Sequence, residues 1–246
     1  MFVVLFFYIR HGDPIYNPDS LTPLGHEQAE ALGKRMATMG IDEIYASTSE
    51  RAKLTAKPLC ERIGKEAKLL DFANEGYAWN EFTCYSTARE CNTWLFFAPE
   101  VKEIFHTDEI IELGDRWHEH PVFAEEEFGG LDYAKGIARI QRDSDAFFES
   151  LGYKRVGKGK YEVLKDNDKR VALFAHQGFG LCFLSCLLGL PFPQFTSHFD
   201  MCTTGMTVIE FKNEDGYAYP RILMLSSDGH LYKEGLTTRY ARKDIF

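Results

Sequence analysis

Apolar runs along the chain predict a set of buried β-strands. Phe2–Ile9 is the first run, and Ile41–Ala46 and Arg170–Ala175 follow the same pattern. Short uninterrupted apolar runs are typical of parallel sheets that are covered by helices on both faces. Two later runs, Met206–Phe211 and Tyr219–Leu225, predict the strands that complete the sheet.

Segments with a helical period alternate with these strands. One helix is predicted from near Thr22, a suitable N-terminal capping residue, to Gly40, and a second from Ser49 to Ile63. A third helix is predicted over residues 132–151. A fourth follows His176 and runs through Leu188. Because strands and helices alternate, the pattern predicts βαβ units and a largely parallel sheet.

The middle of the chain has no clean hydrophobic period. Between Trp79 and Gly130 the sequence is instead rich in aromatic residues, namely Trp79, Phe82, Tyr85, Trp94, Phe96, Phe97, Trp117, Phe123 and Phe128. After the third helix, Tyr153–Val163 predicts a hairpin around Gly157-Lys158-Gly159. Since no repeat, linker or low-complexity tract divides the chain, we expect a single domain over residues 1–246 with an insertion at about 77–150.

Composition indicates a water-soluble globular protein. Of the 246 residues, 45% are hydrophobic and 26% are charged, which is enough apolar surface for a sizeable core. No apolar run approaches the ~20 residues of a membrane span, and the N-terminal run lacks the flanks of a signal peptide. The six cysteines contain no C-x-x-C pair, which favours reduced thiols over disulfides or zinc. We therefore expect a cytoplasmic protein with no membrane partner.

The negative charge is concentrated in one segment. Residues 100–150 contain fourteen acidic and five basic residues, so this segment alone accounts for the net charge of −9. No basic stripe is present, so a nucleic-acid partner is not expected. His118-Glu119-His120 and Glu125-Glu126-Glu127 resemble no zinc-binding spacing, and we interpret them as an acidic solvated loop without a metal.

Two histidines follow predicted strands. His11 comes after the first strand and His176 after Arg170–Ala175, and the carboxyl ends of strands are where open α/β sheets bind ligands. Arg10 precedes the first histidine, and Arg51 lies at the start of the second predicted helix. A guanidinium group binds phosphate oxygens in a bidentate manner, and a helix N-terminus adds amide donors. Together these residues predict an anion site.

The same residues carry a resemblance to the histidine phosphatase superfamily, also called the phosphoglycerate mutase-like family. Arg10-His11-Gly12 is similar to the family signature, and Asn17 falls at the asparagine of its R-H-G-E-T-x-x-N motif. Residues 21–29 (LTPLGHEQA) resemble L-T-x-x-G-x-x-Q-A, and residues 47–56 (STSERAKLTA) resemble S-x-x-x-R-A-x-x-T-A. His176 completes the order. Asp13-Pro14 departs from the usual Glu-Thr, which removes one hydroxyl that would contact phosphate.

This resemblance implies a fold and a mechanism. The expected fold is a three-layer α/β/α sandwich with a mostly parallel central sheet and an inserted cap region. His11 would attack phosphorus and carry a phosphohistidine. Arg10, Arg51 and His176 would lower its pKa and, with Asn17, hold the phosphoryl oxygens. On this mechanism no metal and no other cofactor is needed.

The resemblance also implies a carboxylic acid that protonates the leaving group. In the family this acid lies shortly after the third core strand. Glu75 is the first choice because Asn74-Glu75 followed by an aromatic stretch resembles the acid loop of the family. Glu81 is the second choice, and Asp71 is interpreted as a turn residue.

Three functions follow as alternatives. The first is a phosphatase that hydrolyses a small phosphorylated metabolite with water as final acceptor. The second is a phosphoglycerate mutase, which needs extra cations to hold two anionic groups. The third is a protein that binds a phosphorylated ligand without catalysis. The sequence predicts no particular oligomeric state.

The acidic insertion bears on the choice of substrate. If its acids and aromatics cover the site, they favour a monophosphate whose remainder is uncharged, apolar or cationic. Alternatively, the acids only face solvent and the aromatics form the core of the insertion.

Overall fold

The computed structural model describes residues 2–125, 128, 133–240 and 243–244. The strands, in chain order, are β1 (Val3–Arg10), β2 (Pro14–Tyr16), β3 (Asp19–Leu21), β4 (Glu43–Ser47), β5 (Ala67–Leu70), β6 (Thr83–Ser86), β7 (Cys91–Trp94), β8 (Tyr153–Gly157), β9 (Lys160–Val163), β10 (Arg170–Ala175), β11 (Met206–Lys212), β12 (Tyr217–Ala218), β13 (Arg221–Ser227), β14 (Arg239–Tyr240) and β15 (Lys243–Asp244). The helices are α1 (Pro23–Met36), α2 (Glu50–Ile63), α3 (Glu75–Glu81), α4 (Pro99–Phe105), α5 (Asp108–Leu113), α6 (Tyr133–Ser150), α7 (Gln177–Leu188), α8 (Phe192–His198) and α9 (Gly229–Glu234). Short 3₁₀ segments cover Ala37–Met39, Asp71–Ala73, Leu95–Phe97, Gly114–Glu119 and Pro121–Ala124.

A six-stranded sheet forms the centre of the fold. Its strand order is β13-β11-β1-β10-β4-β5. The pairs β1–β10, β10–β4 and β4–β5 are parallel, whereas β11 runs antiparallel to both β1 and β13. The expected α/β fold with a mostly parallel sheet is confirmed.

Side chains of β1 alternate between two layers of helices. Phe6 and Tyr8 face one side, where their rings lie 6.1 and 5.6 Å from the ring of Phe183 in α7. Phe7 and Ile9 belong to a second buried cluster, which includes the inner faces of α1 and α2. Because successive strand residues point to opposite faces, one apolar run contributes to both cores.

Several elements differ from the sequence-based expectations. Strand β5 is not among the predicted strands, since it is a short edge strand whose four side chains are all partly or fully exposed. The last strand of the sheet begins and ends two residues later than Tyr219–Leu225. In the region without a period, the structure contains α3, α4, α5 and the β6–β7 hairpin. Helices of six or seven residues complete too few turns to give a recognisable pattern.

Most aromatic residues of the 77–150 region are buried in the same hydrophobic cluster as Phe6 and Tyr8 of β1. Trp117 is fully buried and stacks on Phe192 of α8 with 5.1 Å between ring centroids and 11° between planes. Phe105 and Phe123 lie 5.3 and 5.0 Å from the same indole ring. These rings are therefore core residues, and the core that they belong to is shared with the central sheet and is not confined to the insertion.

The acidic side chains of this region lie largely at the surface. Glu103, Asp108, Glu109 and Glu112 are all exposed. Glu126 and Glu127 lie outside the described residues. No helix in the described part of the chain is long and apolar enough to cross a membrane.

Candidate active site

The register of β1 and β10 brings the two predicted histidines together. Arg10 lies opposite Ala175, so the residues that follow them are neighbours. The backbone N–H of His11 donates to the carbonyl oxygen of Ala175 at 2.9 Å. The imidazole rings of His11 and His176 are both buried, with 5.2 Å between their centroids.

Polar residues of α1 and α2 hold the loop that follows β1. The N–H of Gly12 donates to Thr55 Oγ1 at 2.9 Å, and the N–H of Asp13 donates to Gln28 Oε1 at 2.9 Å. A Cβ atom on Gly12 would lie 2.6 Å from the carbonyl oxygen of Gly25. Glycine is therefore required at positions 12 and 25, where the loop crosses α1. Gln28 and Thr55 belong to the two spaced motifs of the sequence, and their hydrogen bonds hold the backbone around His11.

The ring of His11 is held in one orientation. Its Nδ1 lies 2.7 Å from the carbonyl oxygen of Gly12. Because a carbonyl can only accept, Nδ1 carries the proton and the lone pair of Nε2 remains available. Burial lowers the pKa of His11 well below its usual value, and the charges of Arg10 and Arg51 lower it further. From the sequence only the cations are expected to do this, whereas burial is the larger cause.

The ring of His176 lies between α2 and Glu75. Its Nε2 is 2.8 Å from Ser47 Oγ and 3.2 Å from Ser49 Oγ, and its Nδ1 is 3.5 Å from Glu75 Oε2. Ser49 occupies the N-cap position of α2, but its hydroxyl contacts the imidazole instead of capping the helix. Burial lowers the pKa of His176 well below its usual value, followed by the charges of His11, Arg51 and Arg10. At neutral pH both rings are therefore uncharged.

Two guanidinium groups flank the histidines. Nη1 of Arg10 donates to the carbonyl oxygen of Met201 at 2.6 Å. Arg51 donates through Nη2 to Glu75 Oε2 at 2.9 Å and through Nη1 to Asp19 Oδ1 at 2.8 Å. The Nε atom of each arginine is buried and has no hydrogen-bond partner in the described part of the chain. Each guanidinium therefore keeps one N–H donor that no described protein group uses.

Asp19 is a site residue that the sequence reasoning missed. Besides its contact with Arg51, its Oδ2 accepts from the N–H of Glu50 at 2.8 Å, at the N-terminus of α2. A carboxylate thus occupies part of the anion-binding end of this helix. In the sequence, Asp19 is only an acidic residue in a turn-rich stretch. Its contacts with Arg51 and Glu50 arise from the way the β2–β3 hairpin packs against α2, which no local pattern predicts.

Glu75 and Glu81 lie in different surroundings although both belong to α3. Glu75 accepts from the N–H of Gly178 through Oε1 at 3.1 Å and contacts Arg51 through Oε2. Glu81 forms a bidentate ion pair with Arg139 of α6, with contacts of 2.6 and 2.7 Å. The geometry therefore favours Glu75 over Glu81 as a residue of this site.

Asn17 lies in the turn between β2 and β3, where it is exposed, and the flanking Asp19 contacts Arg51. Asp13 accepts from Thr22 Oγ1 at 2.7 Å and from Arg239 Nη1 at 3.0 Å, which ties the C-terminal region to the loop after β1. Asp71 lies in a 3₁₀ turn, as interpreted from the sequence.

The two histidines and Glu75 also form a set of potential metal ligands. Ligand atoms of His11, Glu75 and His176 lie within 4.8 Å of one another, and two imidazoles with one carboxylate are a ligand set that transition metals accept. However, Arg51 is already bonded to the carboxylate, and both guanidinium groups lower the pKa values of the imidazoles. The charges of Arg10 and Arg51 that disfavour a proton on the imidazoles also disfavour a metal cation at the same nitrogen atoms.

A third buried histidine lies one contact away from this pair. The N–H of Thr204 donates to the carbonyl oxygen of His11 at 3.1 Å. The hydroxyl group of Thr204 donates to the carbonyl oxygen of Thr203 at 2.7 Å. Thr204 Oγ1 therefore accepts from Nε2 of His230, which lies 2.9 Å away. The other ring nitrogen lies 3.5 Å from Arg35 Nη1. Burial and Arg35 lower the pKa of His230 to about 4.

This histidine gives a prediction for the pH dependence of stability. In the unfolded chain its pKa is about 6.5, so between pH 6.5 and about 4 the unfolded state binds a proton that the folded state does not. Its contribution to the free energy of unfolding is therefore constant above pH 6.5 and is lost as the pH falls towards 4. We expect wild type to lose about 2–3 kcal/mol more than His230→Asn over this range in urea unfolding. Equal losses would contradict the assignment, and His26→Asn, at an exposed position on α1, should behave as wild type.

Comparison with known protein families finds a match for the N-terminal part of the chain. Residues 6–94 match the model of the histidine phosphatase superfamily, branch 1. The resemblance to this superfamily is confirmed. The matched segment contains Arg10, His11, Arg51 and Glu75, whereas His176 lies beyond it. No curated protein sequence matches the chain.

Several solved structures share the fold of this chain over most of their length. A mycobacterial glucosyl-3-phosphoglycerate phosphatase is 18% identical with a TM-score of 0.58, and the match covers 92% of this chain and 99% of the other. A phosphoserine phosphatase from Entamoeba histolytica, solved with 3-phosphoglyceric acid, is 21% identical with a TM-score of 0.57, and 93% and 99% are covered. A putative alpha-ribazole-5′-P phosphatase from Escherichia coli is 15% identical with a TM-score of 0.57, covering 92% and 97%.

Proposed function

We propose that the protein is a metal-independent phosphatase that hydrolyses a small phosphomonoester through a phosphohistidine on His11. The observation that supports this most is the state of the His11 ring. Its Nδ1–H is bonded to the carbonyl of Gly12, so Nε2 carries a lone pair, and Arg10 and Arg51 each keep a buried unpartnered Nε. A neutral nucleophile beside two cations suits attack on an anionic phosphorus centre.

In the first step, Nε2 of His11 attacks phosphorus in line with the ester oxygen. The N–P bond forms as the P–O bond to the leaving group breaks, and the departing oxygen takes a proton from the carboxyl group of Glu75. Arg10, Arg51 and the unpartnered Nδ1 of His176 donate to the phosphoryl oxygens, where negative charge accumulates. Asn17 remains a prediction as a further phosphoryl ligand.

In the second step, water attacks the phosphohistidine. Glu75, now a carboxylate, takes a proton from the water as the new O–P bond forms. The N–P bond breaks, His11 returns to its neutral state and inorganic phosphate leaves. One carboxyl group therefore serves as acid and then as base, and the charges of the site are the same before and after the cycle.

The surroundings of Glu75 bear on the substrate. A Cβ atom on Gly178 would lie 2.2 Å from the ring of Trp94, so this indole packs on the backbone beside Glu75. Trp79 contacts Trp94 edge to face at 5.2 Å and is partly exposed. We infer that the leaving-group side is bordered by aromatic surface, which suits an uncharged, apolar or cationic substrate body.

The charge around Arg51 argues against a second anionic group on the substrate. Asp19 keeps a carboxylate on this guanidinium throughout, and Glu75 becomes a second one once it has given its proton to the leaving group. A mutase has to hold two anionic groups at once, and a second one would be repelled by these carboxylates. Hydrolysis of a monophosphate is therefore favoured over transfer between hydroxy acids.

A phosphatase panel tests this proposal. We expect the wild-type protein to release phosphate from p-nitrophenyl phosphate without a bisphosphate primer and with chelator present. Among sugar phosphates, nucleotides, phosphoamino acids and bisphosphoglycerate, kcat/KM should be lowest for the most anionic members because of the carboxylates on Arg51.

Each alternative predicts a different outcome in the same panel. Dependence on a bisphosphate primer would favour the mutase. No turnover of any member, together with phosphate binding, would favour a non-catalytic binding protein. If kcat/KM were highest for the most anionic member, the charge argument would be wrong.

A further inference from the structure

A cavity lies away from the histidine pair. It has a volume of about 240 Å³ and is bounded by α6, α7, α8, the Gly114–Glu119 segment and the β8–β9 hairpin. None of the six predicted site residues lines it. The first residue of α7 that lines the cavity is Cys182. It comes six positions after His176 and therefore lies roughly 9 Å further along the helix axis. Its apolar lining includes Phe82, Ile137, Ile140, Leu190 and Phe192.

Two residues that line this cavity carry unused hydrogen-bond donors. The indole Nε1 of Trp117 is buried and has no partner among the described residues. Arg155 uses Nε for Asp145 Oδ1 at 2.6 Å and Nη1 for the carbonyl oxygen of Cys186 at 3.0 Å. Its Cζ lies 4.8 Å from the ring centroid of Tyr161, and its buried Nη2 has no hydrogen-bond partner among the described residues. A buried N–H without an acceptor is costly and is rare in folded proteins. Two such donors on one cavity therefore point to a ligand that brings acceptor atoms.

The formal charge of the lining is positive. Arg155, Lys158 and Asp115 are its charged members, which gives a net formal charge of +1. Lys158 and Asp115 form an ion pair, and both side chains are exposed, so this pair lies where the cavity meets solvent. Asp145 offsets part of the charge of Arg155 but does not line the cavity.

We propose that this cavity is a binding site for a small amphipathic carboxylate. The carboxylate oxygens accept from Nε1 of Trp117 and Nη2 of Arg155, and the apolar body packs against Phe82, Ile140 and Phe192. Such charge-assisted hydrogen bonds are stronger than those to a neutral acceptor. The volume is sufficient for an aromatic ring, since an apolar cavity of about 150 Å³ holds benzene. The site is independent of the function proposed for His11.

Indole NMR signals provide a direct test. The protein has three tryptophans, so ¹⁵N labelling gives three indole N–H signals, and Trp79→Phe and Trp94→Phe identify the signal of Trp117 by elimination. The probes are phenylacetate and its neutral isostere phenylacetamide. We expect phenylacetate to shift the Trp117 signal saturably and to bind at least about tenfold more tightly than phenylacetamide.

Two variants separate the cavity from the rest of the surface. Arg155→Gln should remove the preference for phenylacetate, whereas Arg142→Gln, at an exposed position on α6, should retain it. His11→Ala should bind phenylacetate as wild type does, so the result does not depend on phosphatase activity. The proposal is overturned if wild type shows no saturable shift at millimolar phenylacetate, if the two probes bind equally, or if a well-folded Arg155→Gln keeps the preference.

Discussion

His11→Ala is expected to lower kcat/KM at least about 10²-fold on every substrate that the wild-type protein hydrolyses. The reason is that the lone pair of Nε2 is the nucleophile, and alanine offers no atom that can form the intermediate. Steady-state release of phosphate measures the loss. Because His11 is buried, circular dichroism and urea unfolding should accompany the assay, and His11→Asn provides a second variant that leaves less empty space.

The matched control for this prediction is His26→Ala. His26 lies exposed on α1 and should tolerate the change with activity near that of wild type. If folded His11→Ala retained more than about a hundredth of the wild-type rate, His11 would not be a covalent nucleophile, because removing such a group costs more than that.

Glu75→Gln should distinguish substrates by their leaving groups. We expect kcat/KM to fall ~10²-fold or more for alkyl phosphates and far less for activated aryl phosphates, which need little protonation as they depart. Glutamine keeps an acceptor for the N–H of Gly178 but loses the charge that binds Arg51. Loss of that ion pair affects both substrate classes alike, so only the difference between classes reports on proton transfer.

Glu81→Gln is the matched control on the same helix. Glu81 pairs with Arg139, and the change should lower stability while leaving the dependence on the leaving group unaltered. Equal losses on both ester classes in Glu75→Gln would indicate a role in binding. A selective loss of alkyl phosphate hydrolysis in Glu81→Gln would transfer the acid role to Glu81.

The sheet was predictable because its central strands are nearly uninterrupted apolar runs. The placement of His11 and His176 followed from the same runs, since the carboxyl ends of parallel neighbours lie at one edge of a sheet. Strand β5 was not predictable, because an edge strand of four partly exposed residues lacks that signature.

The choice between Glu75 and Glu81 marks a limit of sequence reasoning. The two residues are six positions apart on α3, so a helical period places them on different faces. Periodicity does not say which face turns towards the histidines. That depends on the packing of α3 against α7 and α6, where Glu75 meets Gly178 and Glu81 meets Arg139.

Contacts between distant parts of the chain were also beyond the sequence patterns. Arg239 donates a hydrogen bond to Asp13, and His230 donates to the hydroxyl group of Thr204, whose backbone N–H donates to the carbonyl oxygen of His11. Asp13 was noted only as a departure from the family motif, and local sequence rules gave no significance to Arg239, Thr204 or His230. The extent to which burial lowers the pKa of His11 was missed for the same reason, because burial comes from elements that assemble around the strand end.

The most direct test of the account is to trap the intermediate. Wild-type protein mixed with substrate and quenched in alkaline denaturant should carry one acid-labile phosphoryl group, and peptide mapping should locate it on His11. His11→Ala treated in the same way should carry none, while Glu75→Gln should still be labelled by an activated aryl phosphate. A wild-type protein that turns over substrate yet never carries a phosphoryl group, or carries it on another residue, would contradict the proposed mechanism.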